Sequence, residues 1–177
     1  MKKYTNIDEA VDDVESSMLE SLKIARDMIA NIPDKNNWRD LAMVTAKAFG
    51  LLFDTILEFV KPDDDSWKTK RFEDKAELIG ELKILNDIYE RDFKLLNKIR
   101  VHLAHTMEID VNLIKSLLHQ THTYNFNKEK MDKKTLQEQY HTIALRAIYI
   151  LRHHHGHFMA SYLNKLEGWQ GSYYKYD

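Results

Sequence analysis

The chain has no cysteine, 5 glycines and 2 prolines in 177 residues. Without cysteine there can be no disulfide, no thiolate nucleophile and no Cys-ligated zinc or iron–sulfur centre. With glycine and proline this scarce, most of the sequence contains no helix breaker, which favours long helices over strands. No stretch approaches ~18 uncharged apolar residues, and the N-terminal MKKYTNIDEAVDDVE lacks the apolar run of a signal peptide. The expectation is a cytoplasmic protein with no membrane contact. Glycine-rich phosphate loops and a GxSxG nucleophile elbow are missing too, so ATP, NAD or serine-hydrolase chemistry has no support. No cofactor is expected. The net charge of −2 provides no overall field for nucleic acid, so any RNA contact must come from a local patch.

What the chain does have is helical periodicity. A hydrophobic share of 44% and a charged share of 31% describe a globular protein. Val11, Val14, Met18, Leu22, Ala25, Ile29 and Ile32 recur at steps of three and four, one stripe of a helix with Asp8, Glu9, Asp12 and Asp13 at its positive N-terminal end. After NIPDKNN a second helix is expected over residues 38–60, with Leu41, Thr45, Ala48, Leu52, Thr55 and Phe59 on one side. KPDDDSWKTK reads as a loop. Helices follow at about 74–87, 90–105 and 111–118, THTYNFN reads as a loop, and residues 133–167 read as one long helix with an irregular tail. Its stripe is Leu136, Tyr140, Ile143, Ala147, Ile150, His154, Phe158 and Tyr162. There is no repeat and no linker. The expectation is a single all-α domain over 1–177, a five- to six-helix up-and-down bundle in which residues 72–105 form a hairpin on the second helix.

The fourth helix reads FKLLNKIRVHLAH and carries Arg100 and His105 as an Arg-x4-His pair. Spacing alone selects nothing, because Arg146/His153 and Arg152/His157 repeat similar intervals. The surrounding residues do select. Ile99-Arg100-Val101-His102-Leu103-Ala104-His105 resembles the Ile-Arg-Asn-x-x-Ala-His motif of the HEPN superfamily of helical RNases. With AFGLLFDTILEFV and FEDKAELIGELKIL upstream, about residues 40–120 look like its mannitol-operon repressor (MltR-like) branch. The HEPN/MltR-like core would cover about 38–165. The family carries a polar residue, often Asn, after the arginine; Val101 stands there, a departure that bears on catalysis more than on fold.

The resemblance implies metal-independent endoribonuclease chemistry of a toxin or defence type. A 2′-hydroxyl attacks the adjacent phosphate and leaves a 2′,3′-cyclic phosphate. His105 would be general base or acid, Arg100 would hold the phosphate with its fork of donors, and His102, three residues before His105, is a candidate second acid/base group. The alternative is a non-catalytic MltR-like regulator acting by protein–protein interaction, in which Arg100 pairs with a carboxylate such as Asp54 or Asp92 and His105 caps the helix. Five residues of helix are about 500° of turn, so Arg100 and His105 point about 140° apart. Either the helix ends at His105 or a twofold dimer brings two motifs together; the resemblance points to the dimer. The expected partners are thus a second copy of the chain, an RNA substrate, and a protein such as an antitoxin or regulatory target.

Two further clusters draw attention. Lys128, Lys130 and Lys133, with Lys134 and the interleaved Tyr124 and Phe126, could contact RNA through charge and stacking, though a solvated helix start has the same composition. His153 and His157, in the HHHGH run, are i and i+4 and could share one Zn²⁺ or Ni²⁺, but no further ligand can be named, so no metal site is expected.

Overall fold

The computed structural model describes the backbone of residues 7–61, 64–81, 87–106 and 108–163, and side chains within residues 12–59, 61, 64–81, 90–106 and 108–151. Among these residues the chain is an all-α helical bundle: α1 (Ile7–Ala30), α2 (Trp38–Val60), a 3-10 turn (Asp65–Thr69), α3 (Phe72–Glu81), α4 (Asp87–His105), α5 (Val111–His119), α6 (His122–Phe126), α7 (Lys128–Met131) and α8 (Leu136–Leu163). No helix among them is long and apolar enough to cross a membrane.

The stripes set the packing. Val14, Met18, Leu22, Ala25 and Ile29 of α1 are buried, and so are Leu41, Thr45, Ala48 and Leu52 of α2 and Tyr140, Ile143, Ala147 and Ile150 of α8. Helix α1 runs along α2, and α8 returns across α1, α2 and α4. Asn37 starts α2 by accepting from the backbone N–H groups of Arg39 (3.0 Å) and Asp40 (3.3 Å), satisfying two donors that the first turn leaves free. The hairpin of α3 and α4 packs on α2 as expected, through four aromatic rings. Phe53 meets Phe72 and Phe93 at centroid distances of 5.1 and 5.3 Å, and Phe49 meets Phe93 edge-on at 4.8 Å. Such pairs add about 0.5–1.5 kcal/mol each beyond the area they bury.

Two segments expected to be loops are helical. In KPDDDSWKTK the Asp64 carboxylate accepts from the backbone N–H of Ser66 at 3.0 Å and starts a 3-10 turn that drives Trp67 into the core. The indole N–H reaches the Lys61 carbonyl at 3.4 Å, while Lys68 and Lys75 lie over the ring. THTYNFN forms α6, started by Thr121 and by a carboxylate from elsewhere in the fold. Asp92 of α4, only 2% exposed, accepts from the backbone N–H groups of His122 (2.6 Å) and Thr123 (3.0 Å) and from the Thr123 hydroxyl (2.9 Å). A five-residue helix has little stability of its own; this cap and the burial of Tyr124 hold it in place.

Two histidines tie elements together in their neutral form. The His141 Nε2–H of α8 donates to the Ile29 carbonyl of α1 at 2.9 Å. Burial, with Lys35 and Lys134 nearby, holds its pKa below the usual 6.5, although the bond to Ile29 pulls the other way. His119 stacks on Tyr124 at 4.1 Å, and burial together with Lys115 lowers its pKa as well. A histidine with a depressed folded pKa contributes stability in full above its unfolded value. That stability is lost as pH falls from there toward the folded value. The urea midpoint is therefore expected to be level near pH 7 and to decline from about pH 6.5 downward, before most carboxylates titrate. His141→Gln should flatten that decline; an unchanged acid limb in the variant would remove His141 as its source.

Candidate functional site

Helix α4 ends at His105, as the first of the two arrangements open to the motif requires. Arg100 and His105 of a single chain line one cleft of about 340 Å³. Helical geometry explains how. Viewed down α4 from Arg100, Asn97 lies about 60° round, Val101 about 100°, His105 about 140° and Lys98 about 160°. These residues form one arc, and all of them line the cleft. The Asn97 side-chain oxygen accepts from Arg100 Nε at 2.8 Å, which swings the guanidinium onto the arc but back along the axis toward the preceding turn, while His105 lies about 7.5 Å further along in the other direction. Asn97 is itself buried, so this anchor is fixed. The opposite wall is the start of α3, with Arg71, Phe72 and Glu73.

Neither carboxylate considered as a partner for Arg100 plays that part. Asp54 takes the Lys75 ammonium at 2.5 Å, and Asp92 caps α6. Among the described residues no carboxylate lies within salt-bridge distance of Arg100. A half-buried guanidinium with Nε bound to a neutral amide keeps its fork of donors for an anion. Arg100 also lines a small void between the helices, together with Thr45 and Phe49 of α2 and Tyr140 of α8. Tyr140 is 1% exposed and stacks edge-on against Trp38 at 5.9 Å; burial keeps its phenol far above the usual range, so it stays neutral.

His102 does not line the cleft. Its Nε2 accepts the backbone N–H of Asp110 at 3.2 Å, and its carbonyl receives the Thr106 N–H and hydroxyl. It holds the turn from α4 into α5, a structural role for a residue that was a candidate second acid/base group. His105 is exposed at the tip of the helix. Lys128, Lys130 and Lys133 are exposed on and after α7 beside Phe126, which is 69% exposed, but none of them lines the cleft. Tyr124 is not available for stacking on a base: it is buried, donates to Asp132, and its pKa is pushed up to about 12 by burial and that carboxylate. Arg146 lies over Tyr149 on the exposed side of α8. The side chains of His153, His154, His155 and His157 lie outside the described residues; among the described ones no cluster of three metal-ligating groups occurs.

Sequence reasoning missed Asn97, Arg71 and a second groove behind Arg100. Asn97 was within reach, since it sits three residues before Arg100 on the same helix. The groove, of about 490 Å³, runs between α2 and α4 and is lined by Arg39, Ala42, Met43, Ala46 and Lys47 on one side and Arg100, Leu103 and Ala104 on the other. Arg100 forms a wall of both cavities. Compared with known proteins, the chain matches no family model, no curated protein and no solved structure.

Proposed function

We propose that this chain is a metal-independent endoribonuclease whose reacting phosphate binds between Arg100 and His105. The reading is carried by the cleft that a guanidinium without a carboxylate partner shares with an exposed imidazole. His105 takes the proton of a ribose 2′-hydroxyl, the 2′-oxygen forms a bond to phosphorus, and the bond to the 5′-oxygen of the next nucleotide breaks. Water supplies the proton to that leaving oxygen. Arg100 and Lys98 stabilise the charge that builds on the non-bridging oxygens. The resemblance of Ile99–His105 to the HEPN motif points the same way, and it implies a homodimer, which light scattering at micromolar concentration would read directly.

One observation favours the regulatory reading. Val101, 37% exposed, lies on the arc between Arg100 and His105, an apolar side chain at the centre of a site for ionic chemistry. On that reading the cleft docks a protein and cleaves nothing. Purified protein incubated with single-stranded RNA and tRNA decides between them. Expected are fragments ending in 2′,3′-cyclic phosphate, formed equally well in EDTA. RNA left intact under all conditions would give the cleft to a protein partner.

A further inference from the structure

The groove between α2 and α4 has the wrong chemistry for ordinary packing and the right chemistry for a polyanion with apolar faces. Arg39, Met43 and Lys47 follow one another at i, i+4 and i+8, a single ridge with two turns of helix, about 12 Å, between the cations. All three are exposed, Met43 by 57%. Among the described residues no carboxylate lines the groove and none forms an ion pair with either cation. Together the two cavities are lined by five cationic side chains (Arg39, Lys47, Arg71, Lys98 and Arg100) and one carboxylate, Glu73, with Arg71 alone of the five paired among the described residues, to Asp74 at 3.5 Å, in a chain whose net charge is −2.

We propose that this groove is a subsite for single-stranded nucleic acid, holding the nucleotides that flank the phosphate at Arg100. The proposal deepens the ribonuclease reading and rests on it for the path of the strand through Arg100. Phosphates engage Arg39 and Lys47, and a base lies on the Met43 thioether, whose polarizable sulfur favours aromatic faces. Nothing in the groove reads a sugar: its polar groups are cations that meet phosphate. The subsite accepts deoxyribose as readily as ribose, and the 2′-hydroxyl matters only for the cleavage step.

That indifference separates binding from turnover. Fluorescence anisotropy of a labelled mixed-sequence single-stranded oligodeoxynucleotide, titrated with the full chain over a range of salt, reads binding without cleavage, and the groove variants isolate the subsite's share of it. The exposed pair Arg39→Ser/Lys47→Ser is expected to bind about tenfold more weakly at low salt. The slope of its log association constant against log salt should be smaller by about 1.4, at ~0.7 for each phosphate that is no longer neutralised. Met43→Ser should weaken the normal strand but not one with abasic sites. Unchanged affinity and slope in the double variant overturn the proposal. So does a wild type that ignores the strand but self-associates in sedimentation through Arg39 and Lys47, which would assign the groove to a second copy of the chain. Wild type that binds as described but cleaves no RNA removes the ribonuclease reading and leaves the subsite; cleavage with binding indifferent to both cations does the reverse.

Discussion

With alanine at His105, RNA cleavage is expected to fall by about 10²–10⁴-fold, the usual loss when a positioned general base is removed. The urea midpoint should not move, because the side chain is exposed at the end of α4. Arg100→Lys makes the complementary test. It keeps the charge but loses the Nε donor that meets Asn97 and the fork that meets phosphate, so a loss of about 10²–10³-fold is expected. Leaving the buried Asn97 carbonyl without its donor costs about 1–3 kcal/mol, and stability has to be measured beside activity for this variant. Arg146→Ala, on the far side of α8, should cut RNA at the wild-type rate. Equal activity in wild type and His105→Ala would trace the cleavage to a contaminant or another site and end the assignment.

The largest effect on stability is expected at Asp92. Alanine there removes the acceptor for two backbone N–H groups and one hydroxyl, all at or near the start of α6 and within the protein interior. Each buried donor left without a partner costs about 1–3 kcal/mol, so a total of about 3 kcal/mol is a conservative figure. In urea unfolding the midpoint should drop with little change in slope. Asp92→Asn keeps one carbonyl acceptor and should recover about half of the loss. Hydrogen exchange should localise the damage, with the amides of α5 and α6 exchanging faster than those of α1 and α2. A midpoint within experimental error of wild type would mean that α6 is held by Tyr124 and its packing alone.

The long elements were legible because their apolar residues repeat with the helix period. Val14 to Ile29, Leu41 to Leu52 and Tyr140 to Ile150 are buried as their spacing requires. What sequence could not show depends on residues far apart in the chain. The α6 helix exists because Asp92 reaches it across thirty residues, a pairing that THTYNFN does not announce. Trp67 was hidden in a run of lysines and aspartates whose average character is that of a loop, and one buried indole outweighs that average. At the site, the pair Arg100 and His105 was visible but their convergence was not. The 140° separation holds for the Cα–Cβ directions, and the shared cleft spans that arc because Asn97, Lys98 and Val101 fill it between the two. His102 fell to the loop because Asp110 offers its N–H there. Val101→Asn, which places a polar group on the arc, is the substitution that would tell whether valine limits the chemistry.

Arg100 lines both cavities, so ligands that each engage its guanidinium would be thermodynamically linked. Any occupant of the α2–α4 groove that shifts the guanidinium changes the affinity of the cleft beside His105 by some factor. An anion in that cleft must change the affinity of the groove by the same factor. The sign follows from whether the two occupants compete for the same N–H donors or share them. A short anion that takes the shared donors from one side would inhibit, while a continuous strand that shares them would bind with the two sites reinforcing each other.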